Sequence, residues 1–273
     1  MLTYERQSHI IQFIQQRRSV SVSVKELSDQ FNVSSMTIRR DLDALEKRGL
    51  VVRVHGGVIV PKDPASLREE VRAAMNMVQK SNIAEAAARL VKDGQTIFID
   101  AGTTTVELVK RLKDRRGLTI VTNSLKVLYT LAESPGINLI GLGGAVFGGA
   151  WSFVGPLAET AIRHFHSDLA FLGIASLSLE HGLTEVNYFE GDIKSLIIKQ
   201  SQRVVLLADS SKFEKVSPHS VAPLSDIDVI ITDNHLPEEL AAAYRKTGIE
   251  LILAKENEAL TTYSSRVAEP TFS

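Results

Sequence analysis

Two sets of residues in this chain of 273 have the types and spacing to do chemistry. The first is Ser35-Met36-Thr37-Ile38-Arg39-Arg40, continued by Asp43 and Lys47. At about 100° per helical residue, Met36, Arg40, Asp43 and Lys47 cluster opposite Ile38 and Leu42, with Thr37 and Arg39 beside them. A short, mixed, arginine-bearing face is of the size a DNA major groove admits. There Arg forks onto guanine, and Thr bonds a phosphate or touches a thymine methyl. With Arg40 paired to Asp43, the same face would be an ordinary solvated helix surface.

The second set recurs where apolar runs end in the back two-thirds. Thr-Ile-Phe-Ile closes on Asp100 and passes into Ala101-Gly102-Thr103-Thr104-Thr105. Further ends carry Thr122-Asn123-Ser124, Gly143-Gly144, Asp209-Ser210-Ser211-Lys212 and Asp233. Ligands of open α/β sheets bind outside the carboxyl ends of strands, and helix starts there offer N–H groups to anions. Gly102 admits close backbone approach, the threonines add hydroxyls, and Lys212 and Lys194 add positive charge that suits a phosphate. Asp100 would repel a phosphate, so it is assigned to a sugar hydroxyl or to orienting the loop. Taken singly, each of these ends is also a plain helix cap.

Other chemistries find little support. The chain has no GxxxxGK[ST] motif, and Val146 breaks GxGxxG in the run 141–149. His164 and His166 lack a third ligand at recognisable spacing, so no metal is expected. With no cysteine, disulfides, Cys-ligated zinc, iron–sulfur clusters and thiol catalysis are excluded, and a reducing cytoplasm is suited. The first ten residues lack the apolar stretch of a signal peptide, and no apolar run approaches the ~20 residues of a membrane span. No cofactor is expected.

The elements that must position these residues differ front to back. Residues 1–60 carry nine Lys/Arg against six Asp/Glu, although the whole chain has a net charge of -1. Ile10, Phe13 and Ile14 share one face of a first helix. The run 17–23 interrupts it, and Val24, Leu27 and Phe31 mark a second. Asn32-Val33-Ser34 turns, Ser34 or Ser35 caps a third helix, and Gly49 stops it. A strand over 50–54, a turn at His55-Gly56-Gly57 and a return over 58–60 complete a winged helix-turn-helix, with Arg53 and His55 on the wing facing phosphate or the minor groove. After Pro61-Lys62-Asp63-Pro64 comes a helical stretch over 66–92. Strands are then expected over 96–100, 118–122, 138–142, 168–174, 204–208, 229–232 and 249–253. Helices are expected near 104–113, 125–133, 157–165, 190–201 and 237–247. Such alternation predicts a mostly parallel, Rossmann-like sheet with helices on both faces.

The stretch 33–42, followed by Gly49-Leu50 and by Arg53-Val54-His55-Gly56-Gly57, resembles the DeoR family of bacterial transcriptional regulators, and the resemblance runs to about residue 254. It implies a DNA-binding winged helix joined to a sugar-phosphate-sensing α/β domain with the fold of ribose-5-phosphate isomerase and glucosamine-6-phosphate deaminase. The family's recurring pieces correspond here to Asp100–Thr104, Thr122–Ser124, Gly143-Gly144, Gly155 and Asp209–Lys212. Many relatives carry Arg three residues after the paired glycines, where this chain has Phe147.

These readings predict a DNA-binding domain over 1–60, a linker and connecting helix over 61–92, an effector domain over 93–254 and a tail over 255–273. Function follows as a repressor of carbohydrate-metabolism genes, without enzymatic activity. Its partners would be double-stranded operator DNA and a phosphorylated sugar or polyol, and it would work as a homodimer or homotetramer, because one wing-helix unit reads few base pairs. The competing reading is an isomerase or deaminase with an appended DNA-binding domain. That chemistry needs a positioned acid–base pair, for which Asp100, Glu185, Glu190 and Lys194 are the candidates.

Overall fold

The computed structural model describes residues 3–16, 22–47, 50–54, 57–59, 72–73 and 75–255. The chain divides into two compact units, Met1–Met75 and Asn76–Ser273.

The first unit holds α1 (Thr3–Gln16), α2 (Val24–Phe31), α3 (Ser35–Lys47) and the strands β1 (Val52–Val54) and β2 (Gly57–Ile59). Local chemistry sets the helix ends. Ser23 accepts from the Glu26 N–H at 3.2 Å, while the Glu26 carboxylate accepts from the Ser23 N–H at 2.8 Å. This reciprocal box satisfies two donors that a helix start otherwise leaves unpaired. Ser34 Oγ accepts from the Thr37 N–H at 3.2 Å, so Ser34 caps α3 and Ser35 is its first residue. Ile10, Ile14, Leu27, Ile38, Leu42, Leu45 and Val58 make one core, each such side chain adding about 1.5–3 kcal/mol on burial.

The wing gains a partner that periodicity did not show. β1 and β2 pair antiparallel, Arg53 opposite Val58, and Val22 bridges Val58 through two backbone bonds of 2.9 Å. Residue 22 lies in the run read as an interruption. Gly57 also differs from expectation, since it belongs to β2 rather than to the turn. A Cβ there would lie 2.5 Å from the Val22 carbonyl oxygen, so close approach of two backbones requires the glycine. The expected helix stop at Gly49, with Arg48, and the turn residues His55 and Gly56 lie outside the described residues.

The second unit is built on one parallel sheet. Its strands are β3 (Thr96–Ile99), β4 (Leu118–Thr122), β5 (Ile137–Gly141), β8 (Leu169–Leu172), β11 (Val204–Leu207), β13 (Val229–Asp233) and β14 (Glu250–Ala254), in the order β14-β13-β11-β8-β3-β4-β5. Each neighbouring pair is parallel. Residues alternate between faces. Ile97, Ile99, Val205 and Leu207 pack against α4 (Met77–Ala88), α5 (Thr103–Lys110) and α6 (Leu125–Leu131). Phe98, Leu206 and Ile230 pack with α7 (Pro156–Ile162), α8 (Tyr188–Lys199) and α9 (Glu238–Lys246). The chain lays β3, β4 and β5 outward in one direction, returns to β8 beside β3, and continues the other way. Right-handed crossovers in opposite directions put α5 and α6 on one face and α8 and α9 on the other.

All seven expected strands are present, within a few residues of the expected bounds. Strands that branch from the carboxyl edge were not foreseen. β6 (Ala145–Phe147) and β7 (Ser152–Val154) form a hairpin after β5, while β9 (Ser176–Ser178), β10 (Gly182–Glu185) and β12 (His219–Ala222) form a second, antiparallel sheet. The segment expected to connect two domains also has another role. α4 places Ile83, Ala84 and Ala87 in the core of the second unit. Residues 61–71 and 256–273, which include about the first third of the expected 61–92 segment and nearly all of the tail, lie outside the described residues.

Candidate functional site

On α3, Ile38, Leu42 and Leu45 are buried, while Ser35, Met36, Arg39, Arg40 and Asp43 are exposed and Thr37 is half-buried. The face predicted opposite the core is therefore presented to solvent. A contact missed by sequence supports it from behind. Arg6 Nε donates to Asp41 Oδ2 at 2.6 Å, and Gln7 donates to Asp41 Oδ1 at 3.2 Å. Asp41 is buried on the flank of the core face, so α1 and α3 are locked together without using Arg39 or Arg40. Arg6, counted among the front cations, belongs to this lock. The side chains of Lys47 and Arg53, and all of His55, lie outside the described residues.

In the second unit the strand order reverses between β3 and β8, which is the topological switch point where open sheets leave a crevice. Gly102 and Gly173 face each other there, and a Cβ on Gly102 would lie 3.8 Å from the Gly173 Cα. Gly102 is the N-cap of α5 and offers no side-chain cap bond. Gly102 and Thr103 are half-buried and Thr104 is buried.

Around that crevice, many of the polar residues bond one another. Thr105 donates to the carbonyls of Asp100 and Gly102 at 2.7 and 2.9 Å. Thr122 donates to the Ile99 carbonyl at 2.5 Å and accepts from the Ser124 N–H at 3.0 Å. Asn123 accepts from the Ala101 N–H at 3.0 Å and donates to Asp100 Oδ1 at 3.3 Å. Ser124 caps α6. These threonines, Asn123 and Ser124 shape the loop, where the sequence suggested ligand contact. The β6–β7 hairpin is sewn to the same loop, with the Phe153 N–H on the Asn123 carbonyl at 2.7 Å and the Leu125 N–H on the Trp151 carbonyl at 2.9 Å.

Lys194 is buried, donates to Asp100 Oδ2, and lies 3.6 Å from Glu185 Oε1. Burial alone lowers its pKa. Asp100, Glu185 and Glu190 outweigh burial and hold the ammonium above the ordinary lysine value. Glu185 also accepts from the N–H groups of Ala175 and Val186, each at 3.2 Å. Lys194 thus neutralises carboxylates rather than standing ready for a phosphate. Gly173 and the β9–β10 hairpin that delivers Glu185 were missed, although Glu180-His181-Gly182 is a turn signal between short apolar stretches.

The remaining predicted residues fall into two further places on the edge. Gly144, with φ 117, would put a Cβ 2.9 Å from the Val154 carbonyl oxygen, so only glycine fits. Gly143 precedes it, and Gly155 starts α7. Asp209, Ser210 and Lys212 lie at the end of β11, two strand spacings from β3, or roughly 10 Å. Asp209 is buried, and its Oδ1 accepts from Ser211 and Asn76. The Ser210 N–H is held by Asp233 at 2.7 Å, and Lys212 is half-buried. Among the described residues, no group of three or more His, Cys, Asp or Glu could hold a metal ion, and no helix is long and apolar enough to cross a membrane.

A winged helix-turn-helix with an exposed arginine face, on the same chain as a doubly wound α/β unit, is the build of a DNA-binding transcriptional regulator. Residues 6–63 match the family model of the DeoR-like helix-turn-helix domain, and residues 75–234 match that of the DeoR C terminal sensor domain. The chain belongs to the DeoR family of transcriptional regulators. It is 34% identical to the HTH-type transcriptional regulator GolR of Listeria innocua, across 93% of this chain and 100% of that one. It is 35% identical to the transcriptional repressor AccR of Agrobacterium fabrum, across 85% and 90%. It is 37% identical to the lactose phosphotransferase system repressor of Lactococcus lactis, across 81% and 88%. Among solved structures, ribose 5-phosphate isomerase A from Methanocaldococcus jannaschii overlaps with a TM-score of 0.37, at 19% identity, across 49% of this chain and 53% of that one.

Proposed function

We propose that this regulator is a repressor of carbohydrate-metabolism genes, released from or tightened on double-stranded operator DNA by a phosphorylated sugar or polyol, and acting in the cytoplasm as a homodimer or homotetramer. The exposed side chains of Ser35, Met36, Arg39 and Arg40 and the half-buried Thr37 support the DNA reading, with Lys47, Arg53 and His55 as flanking contacts. The observation that carries the effector reading is the crevice between β3 and β8. There α5 starts on Gly102 with no side-chain cap, leaving first-turn N–H groups for an anion. Gly102, Thr103, Thr104, Gly143, Gly144, Gly155, Ser210 and Lys212 would touch the effector. Asp100, Thr105, Thr122, Asn123, Ser124, Lys194 and Asp209 would hold those residues in place. The name of the lactose phosphotransferase system repressor supports a carbohydrate link. Lys194, held charged by its carboxylates, makes a poor base near neutral pH, which favours sensing over isomerase or deaminase chemistry.

A thermal-shift screen of phosphorylated sugars and polyols tests this. A true effector at 100 times its Kd adds about 2.7 kcal/mol, and Lys212→Ala and Thr104→Val lose that gain. Both variants responding like the wild type would place the effector elsewhere.

A further inference from the structure

Asn76 is the first residue of the second unit, and it sits in a break between helical segments. Residues 72–73 are helical, 75–76 turn, and α4 runs from Met77. Asn76 holds the N-cap position with φ 52 and ψ 38, yet makes no side-chain bond to its own helix. An N-cap Asn ordinarily accepts from a first-turn N–H. Here its amide donates instead to Asp209 Oδ1 at 3.2 Å, across 133 positions of sequence.

That oxygen is crowded. It also accepts from the Ser211 N–H at 3.1 Å and from the Ser211 hydroxyl, and the Asp209 side chain is buried. An N–H and an O–H on a tight turn are also natural donors to a phosphate, and Lys212 follows them. A phosphate oxygen in this turn and Asp209 would compete for the same two donors. A carboxylate left with only the Asn76 amide beside a new anion is destabilised in place, because like charges repel and buried charge short of partners is costly. Apart from Val78, the sequence on either side of the break, with Arg72, Ala73, Ala74, Met75, Met77 and Gln79, is made of good helix formers, so the left-handed residue at 76 is what interrupts it.

We propose that the Asn76–Asp209 hydrogen bond is a latch that holds this helix break open, and that an anion in the 209–212 turn releases it, letting the helix close across residue 76. The state of the effector site would thereby reach the segment that joins the two units. This rests on the effector reading above, and Asn76 acts as a positioning residue that touches no effector itself.

Hydrogen exchange on the full chain tests it, with inorganic phosphate as probe against sodium chloride at equal ionic strength. In the wild type, phosphate should slow exchange both around 211–213 and at the amides of 77–79, which gain helical acceptors, by roughly tenfold. Asn76→Ala removes the latch and favours helix, so 77–79 should already be slow without phosphate. Asn76→Gly removes the latch but keeps the left-handed backbone accessible, so 77–79 should stay fast with or without it. Both variants should still respond at 211–213. Response at 211–213 without response at 77–79 in the wild type overturns the latch alone. Variants that respond at 77–79 like the wild type also overturn it. No response at 211–213 in the wild type overturns the anion reading of the turn, and the latch with it.

Discussion

Both units bury charge, and they use it differently. In the first, Arg6 and Asp41 join α1 to α3 on the flank of the core, about 100° around the helix from Arg40. The face proposed for DNA has no part in that pair. In the second, Lys194, Asp100 and Glu185 are buried at the carboxyl edge where the strand order reverses, so the ions that hold the fold together lie next to the candidate crevice. On the proposed sites, the first unit separates stability from recognition, and the second merges them. A helix has a back and a front that can be assigned independently. A sheet edge has only its loops, which must both satisfy their own backbone and meet a ligand.

The separation in the first unit can be broken most directly at Asp41. Asp41→Ala leaves the Arg6 guanidinium buried without its partner, which should cost about 3–5 kcal/mol of stability in a urea titration, with DNA binding lost through unfolding. Replacing both partners with apolar residues should recover most of that. A cost below about 1 kcal/mol would mean that solvent reaches the pair and that no lock exists.

A smaller effect should appear on the front of the same helix. Arg39→Ala or Arg40→Ala should weaken binding to a duplex selected from a randomised pool by about 1–3 kcal/mol if the side chain reads a base. A phosphate-contacting Arg would weaken all sequences alike and flatten the salt dependence. Stability should change by no more than about 0.5 kcal/mol. Wild-type binding by both variants would remove α3 as the recognition helix. A stability loss comparable to that of Asp41→Ala would show that recognition and fold are not separate after all.

The smallest effect concerns pH in the second unit. Burial first, then the hydrogen bond to Glu214 at 2.9 Å and its charge, hold the Tyr244 phenol above the ordinary tyrosine range. The folded state keeps a proton that the unfolded chain releases above pH ~10. Stability is therefore undiminished below that point and falls as pH rises, by at most about 1.4 kcal/mol per pH unit for this group. Lys194, whose pKa is also raised, acts with the same sign. Tyr244→Phe should flatten part of the fall in alkaline denaturation curves. An unchanged curve would show that Tyr244 does not keep its proton in the fold.

Much of this architecture was legible from local pattern. The spacing of Ile38, Leu42 and Leu45 fixes which side of α3 is buried, because neighbours on a helix are set by its turn. The seven parallel strands were visible as apolar runs, several of which end in polar residues, because strands covered on both faces need no alternation. The short antiparallel strands were harder. β9 and β10 are only three and four residues long, and their polar residues Ser176, Ser178, Thr184 and Glu185 are buried, so their short alternation marks no solvent face. Val22 joins the wing by two backbone bonds to Val58 and by burying its side chain in the core, and a single bridging residue leaves no periodic pattern.

The candidate site divides along the same line. The sequence by itself determined that Gly102, the threonines, Asn123, Asp209 and Lys212 would gather at strand ends, because the polar residues follow the apolar runs directly. Which of them turn inward was decided only by the tertiary structure. Thr105 faces the carbonyls of Asp100 and Gly102, Asn123 reaches back to Ala101 and Asp100, and Lys194 meets Asp100 across 94 positions. Polar groups pair with whatever the chain's topology brings within about 3 Å, and pairing at such separations leaves no local trace. A residue's type limits the bonds it can make, but its neighbours in the fold choose among them.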